Sequence, residues 1–82
     1  MSSILIYSKP GCAFCDKAKA LLQMKKIDFT ESVLGQDILS EDFQSLFPEV
    51  RAVPFIIIDG VKIGGYDKLV EWVDRRPEYL AG

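Results

Sequence analysis

The stretch Lys9-Pro10-Gly11-Cys12-Ala13-Phe14-Cys15 carries both cysteines of the 82-residue chain. Two residues between the thiols let the sulfurs meet across one turn, so the pair can alternate between dithiol and disulfide with little backbone movement. Downstream, Phe14, Ala18, Leu21, Leu22 and Lys25 recur at helical spacing, with Asp16, Lys17, Lys19 and Gln23 facing away, which predicts a helix from Phe14 to Lys26. Cys12 then stands at a helix N-terminus. The open amides and partial positive charge of a helix start favour an anion, and Lys9 adds an ammonium nearby, so a Cys12 thiolate is favoured over that of a free cysteine. Nucleophilicity falls as a thiol becomes more acidic, so the net gain as attacker is only a few-fold, and the larger benefit is as a leaving group. Cys12 is expected to attack first and be expelled later. Cys15, one turn into the helix and less exposed, is expected to expel it.

Three plainer readings compete. A structural staple closing about four residues would contribute only roughly 2 kcal/mol by the chain-entropy relation, against about 3 for fifteen residues. A zinc site needs two more ligands, and the chain has no His and no third Cys, so no metal is expected. Two inert core cysteines remain an alternative for the motif taken alone. Redox chemistry is the reading that also uses the Pro-Gly turn and the helix start, especially inside a βαβ unit.

Such a unit is legible on both sides of the motif. Ile4-Leu5-Ile6-Tyr7 is a short apolar run ending at Ser8-Lys9-Pro10-Gly11, a strand and the loop after it. After Lys26, the segment Ile27 to Val33 alternates apolar and polar as a half-buried strand does. A strand, helix and strand with this crossover length predict a parallel, right-handed βαβ unit. Leu34 to Leu39 reads as loop with Gly35 as its turn. Ser40 is the expected N-cap of a short helix carrying Phe43, Leu46 and Phe47, with Glu41 and Asp42 in its first turn and Pro48 ending it. The unbroken apolar run Val53 to Ile58 predicts a strand covered on both faces. Asp59-Gly60 is a two-residue hairpin turn, returning through Val61-Lys62-Ile63 as an antiparallel edge. Gly64-Gly65 breaks that strand, and Tyr66, Leu69, Val70 and Val73 mark the apolar face of a last helix bordered by Trp72. Arg75-Arg76 are expected to complement its C-terminus, and Pro77 to end it.

Composition narrows the function classes. Residues 1–82 suit a single domain, and 49% hydrophobic residues suffice for a modest core. The net charge of −2 with scattered cations gives no footprint for nucleic acid or an anionic membrane. Met1 to Tyr7 lacks the basic n-region and the length of a signal peptide, and no stretch approaches a membrane span. The cytoplasm is the expected location, where a thiol pool keeps such a pair reduced for catalysis or sensing.

Two further stretches bear on a substrate. Pro54 starts a strand; were its peptide bond cis, the backbone of Val53 would be freed to pair with an extended peptide, the plain alternative being a trans strand-starting proline. In Gly64-Gly65-Tyr66-Asp67, glycines would let a ligand approach the backbone, helix-start amides of Tyr66 and Asp67 would hold a carboxylate, and the Asp67 carboxylate would take an ammonium. The plain alternative there is a turn followed by a helix-start acid.

Taken together, Lys9-Pro10-Gly11-Cys12 with Cys15, Arg51 with Val53-Pro54, Asp59-Gly60, and Gly64-Gly65-Tyr66-Asp67 resemble a small dithiol glutaredoxin over nearly the whole chain. The resemblance implies the α/β thioredoxin fold in the order βαβαββα, with a four-stranded mixed sheet flanked by three helices and a cis proline facing the active cysteine. It implies glutathione as co-substrate with no tightly bound cofactor. By the same resemblance, Lys9 and Arg51 would hold the glycine carboxylate, Phe14 would line the groove, and Val53 before Pro54 would pair with the cysteinyl backbone. Gly65, Tyr66 and Asp67 would hold the γ-glutamyl end.

The family pattern has proline where this chain has Ala13, tyrosine at Phe14 and threonine at Ala52. The implied activity is glutathione-dependent reduction of protein disulfides and glutathionylated proteins by a monomer, with electron donation to ribonucleotide reductase as the family often shows. Two rivals remain at the level of sequence. One is a module in which two chains share an iron-sulfur cluster through Cys12 and two glutathione thiols, motivated by Ala13. The other is a thioredoxin-like donor served by a dedicated reductase, disfavoured because no Trp precedes Cys12 and no Gly-Pro separates the cysteines.

Overall fold

The computed structural model of the chain describes residues 3–75. Its elements run β1 (Ile4–Ser8), α1 (Ala13–Met24), β2 (Thr30–Val33), α2 (Ser40–Leu46), β3 (Phe55–Ile58), β4 (Val61–Gly64) and α3 (Tyr66–Asp74). The sheet order is β2-β1-β3-β4, with β1 parallel to β2 and antiparallel to β3, and β3 antiparallel to β4. This is the expected mixed sheet with three helices among the described residues, the thioredoxin fold.

The period-2 alternation of the strands sorts their side chains into two cores. Ile4 and Ile6 of β1 and Ile56 and Ile58 of β3 face Ala18 and Leu22 of α1 and Leu69 and Val73 of α3, an all-aliphatic cluster. Tyr7 and Phe55 point to the other face and meet Phe43 of α2, with Phe47, Val50 and Val53 packed around them. The apolar run that becomes β3 is therefore covered on both faces, as its unbroken composition requires.

Boundaries depart from expectation where local geometry overrides pattern. α1 ends at Met24 instead of Lys26, because Lys26 adopts φ 59° and the Ile27 N–H closes on the Leu22 carbonyl at 2.9 Å. That closure, with Ile27 and Leu22 in one core cluster, is a Schellman-type stop that a lysine hides from sequence reading. It also spends Ile27 on the helix end, so β2 starts only at Thr30. Helical spacing puts Phe14 on the buried face of α1, whereas the family resemblance puts it in a groove; it is 55% exposed, and Cys15, Ala18 and Leu22 are the buried residues. Ser40 is not the N-cap of α2 but its first residue, Leu39 holding the cap position without a side-chain hydrogen bond, and the helix ends at Leu46 before Pro48 is reached. β3 begins at Phe55, and Gly64 still belongs to β4, leaving Gly65 to cap α3. Helix α3 stops at Asp74 with no basic residue in its last turn and Arg75 at its C-cap; Arg76 and Pro77 lie outside the described residues. The hairpin turn holds as read, with positive φ at both Asp59 and Gly60.

Candidate active site

One wall of the site is the start of α1. Gly11, at φ 74°, turns the chain out of β1 in a conformation that a side chain would resist. Cys12 follows in extended geometry as the N-cap, and its Sγ accepts the Cys15 N–H at 3.1 Å. The cysteine thus does what Ser or Asp does at other helix starts, so the amides that stabilise the helix end also face the sulfur. Cys12 and Cys15 are joined as a disulfide with their Cα atoms 5.2 Å apart. Cys12 is half-buried at the surface, whereas Cys15 is 1% exposed behind it. That asymmetry lets a large substrate reach only Cys12.

The opposite wall is irregular chain. The Val53–Pro54 peptide bond is cis, and the Val53 carbonyl oxygen lies 3.7 Å from Cys12 Sγ. Val53 precedes the first ladder pair, Tyr7 with Phe55, so its backbone is outside the sheet. Between the walls lies an open groove of about 540 Å³ lined by Phe14, Val53, Pro54, Gly65, Tyr66 and Asp67, together with Val50, Ala52, Phe55, Gly64 and Lys68. The rings of Phe14 and Tyr66 sit 5.9 Å apart, and Lys17 Nζ lies over the Phe14 ring, 5.0 Å from its centre. Exposure of Phe14 is thereby explained: it is groove surface, not core.

Lys9 and Arg51 do not line that groove. They line a smaller depression of about 120 Å³ which shares Val50, Ala52 and Val53 with it, so the two adjoin. Both residues are exposed, as is Asp67 in the groove lining. The two depressions thus bring Lys9, Arg51, Val53 and the start of α3 at Tyr66 and Asp67 onto adjoining surface.

Sequence reading missed Val50, Phe55 and Lys68 as groove residues. Val50 carries no motif signal and Phe55 reads as part of a strand covered on both faces, whereas Lys68 stands four residues after a glycine. Gly64 has φ 114°, and a Cβ there would come within 3.2 Å of the Lys68 Cγ. Also missed was a polar network beneath α1. Buried Ser8 donates to Glu31 Oε2 at 2.6 Å, and Lys19 Nζ reaches the same oxygen at 2.8 Å. The Lys19 hydrogen bond, then that of Ser8, holds the Glu31 carboxyl below its ordinary value, and the Glu31 hydrogen bond raises Lys19. A separation of 23 residues between Ser8 and Glu31 left no local signal. Among the described residues no group of three or more His, Cys, Asp or Glu side chains is placed to hold a metal, and no helix is long and apolar enough to cross a membrane.

A mixed four-stranded sheet with a redox-active cysteine pair capping its first helix, and a cis proline opposite, defines a thioredoxin-fold thiol-disulfide oxidoreductase. Residues 4–63 match the family model of glutaredoxin, and the chain belongs to the glutaredoxin family. It is 35% identical over 69 residues to glutaredoxin 3 of Escherichia coli K12, covering 84% of this chain and 83% of that one. It is also 41% identical over 70 residues to hybrid peroxiredoxin hyPrx5 of Haemophilus influenzae, which covers 85% of this chain but only 29% of that longer protein. The crystal structure of glutaredoxin 1 from Francisella tularensis superposes with a TM-score of 0.78, covering 95% of this chain and 99% of that one at 24% identity.

Proposed function

We propose that this glutaredoxin is a glutathione-dependent oxidoreductase that reduces protein disulfides and glutathione mixed disulfides through Cys12 and Cys15, acting as a single domain in the cytoplasm. The observation that carries the reading is the Val53 carbonyl 3.7 Å from Cys12 Sγ at the edge of the groove. Backbone polar groups beside a nucleophilic sulfur suit a substrate whose disulfide sits in an extended peptide, and glutathione is such a peptide.

The electron balance is simple. The Cys12 thiolate attacks one sulfur of the target disulfide, forms a mixed disulfide and releases the first target thiolate. Cys15, deprotonated, attacks Cys12 Sγ and releases the second, leaving the Cys12–Cys15 bond and a target reduced by two electrons. One glutathione thiolate then opens that bond at Cys12, and a second removes the first as glutathione disulfide. On glutathionylated targets Cys12 alone completes a cycle.

Lys9 and Arg51 are assigned to the glycine carboxylate, Val53 and Pro54 to the cysteinyl backbone, and Phe14 to the groove side. Gly65, Tyr66 and Asp67 are assigned to the γ-glutamyl end. Ribonucleotide reductase belongs to the proposed target class, and the name of the Haemophilus relative adds peroxiredoxin disulfides to it. The burial of Cys15 directly behind Cys12 favours redox cycling over a shared iron-sulfur cluster, which would need Cys12 alone. The test is turnover of a small mixed disulfide with glutathione as reductant. Saturable, glutathione-dependent turnover supports the assignment; turnover only with a flavoprotein reductase would replace it with the thioredoxin-like reading.

A further inference from the structure

The turn that leads into Val53 is held by a side chain with no role in the chemistry. Gln44, on α2, directs its amide nitrogen at three carbonyl oxygens of one turn: Phe47 at 3.4 Å, Pro48 at 3.2 Å and Val50 at 3.1 Å. An amide nitrogen has two hydrogens, so both are engaged and at least one is shared. The turn itself is closed by the Val50 N–H on the Phe47 carbonyl at 3.0 Å. From the sheet side, Lys62 of β4 pairs with Glu49 at 3.1 Å and lies 5.3 Å from the Phe47 ring centre. Beyond Val50, the chain runs irregularly through Arg51, Ala52 and Val53 until β3 begins at Phe55. Whatever fixes the turn therefore fixes one end of the segment that faces Cys12.

We propose that Gln44 is a positioning residue for peptide substrates: by gathering the carbonyls of the turn from Phe47 to Val50, it sets where the Val53 backbone stands over Cys12. Lys62 alone is a weaker tether, because it reaches the turn through one ion pair between long exposed side chains, whereas Gln44, also exposed, reaches three backbone carbonyls. Hydrogen bonds from Gln44 are short-range and directional, and they originate in a helix whose Phe43 is buried in the aromatic core. This role rests on the reading that Val53 pairs with the backbone of the substrate.

The test uses the reduced full chain in single-turnover reactions with three disulfides: glutathione disulfide, a disulfide of a blocked cysteinyl dipeptide, and bis(2-hydroxyethyl) disulfide, which has no peptide backbone. Gln44→Glu keeps the shape but aims a carboxylate at three carbonyl oxygens, and Gln44→Ala, a good helix former at an exposed site, guards against misfolding. In both variants the half-saturating concentration for the two peptidyl disulfides is expected to rise about tenfold, while the limiting rates and the reaction with bis(2-hydroxyethyl) disulfide stay within about twofold. Unchanged half-saturation, or an equal loss on all three disulfides, overturns the proposal and leaves Gln44 a structural residue. If the wild type prefers glutathione disulfide no more than the other peptide, the glutathione assignment fails by itself, and Gln44 is still judged on the dipeptide.

Discussion

The two walls of the groove are made by different physics. The Cys12 wall is local: a glycine turn, a capping sulfur and a helix start within the stretch Gly11 to Cys15 place the nucleophile and its resolving partner. The Val53 wall is tertiary, an irregular segment that follows a turn bonded by Gln44 from α2 and by Lys62 from β4, with Phe47 and Val50 packed against the aromatic core. Chemistry is thus written in one short peptide, while the proposed recognition draws on elements far apart in the chain. A change on the first wall should act on turnover, and a change on the second on substrate affinity.

The largest effect separates the cysteines within the first wall. Cys12→Ser should reduce all thiol transfer to background, whereas Cys15→Ser should keep turnover of glutathionylated substrates and lose reduction of protein disulfides. Assaying both variants on both substrate classes decides this, and an active Cys12→Ser protein would reverse the assigned roles.

Next come the cores behind the walls. Leu22→Ala in the aliphatic core and Phe43→Ala in the aromatic one should each destabilise the fold by roughly 3 to 5 kcal/mol in denaturant unfolding. Only Phe43→Ala should also raise the Michaelis constant for peptidyl disulfides at temperatures where both proteins remain folded. Equal effects of the two on that constant would break the distinction between the walls.

Smaller still are the charges at the groove ends. Asp67→Ala, and the Lys9→Ala, Arg51→Ala double variant, remove partly solvated contacts worth about 0.5 to 2 kcal/mol, or roughly twofold to thirtyfold in affinity. The Michaelis constant for a glutathionylated peptide should rise more than turnover falls, and added salt should weaken the wild type more than the double variant. Constants unchanged at all three positions would place glutathione elsewhere.

The smallest effect concerns the network beneath α1. The Glu31 carboxyl lies below its ordinary 4.5 in the folded protein, held mainly by Lys19, so its contribution is present above that value and is lost as pH falls through the lower folded value. Lys19, raised from 10.5, contributes below 10.5 and loses its share as pH rises through the higher folded value. Glu31→Gln should therefore cost about 1 kcal/mol at neutral pH, with the gap to wild type closing in acid and in strong alkali. A gap independent of pH would mean that packing, not charge, is lost.

How much could be read in advance follows the same division. The helix start at Cys12, the Asp59-Gly60 hairpin and the two-faced burial of β3 rest on local residue chemistry, and each was legible. The stop of α1 at Met24 and the hydrogen bonds of Gln44 depend on which partner lies across space, and no spacing in the chain announces them; the exposure of Phe14 runs against its helical phase and was legible only through the family resemblance. Phe14 illustrates the point: its helical phase places it with Ala18 and Leu22, but the first turn of α1 overhangs the groove, so the ring meets Tyr66 instead of the core.

The most direct measurement traps the first chemical step. Reduced Cys15→Ser protein is mixed with a glutathionylated peptide, quenched with acid and read by intact-mass and peptide mass spectrometry. The account predicts that glutathione is found on Cys12 and the peptide leaves as free thiol, as the proposed seating of the glutathione half in the groove requires. The peptide on Cys12 with glutathione released, or no adduct at Cys12, would contradict it.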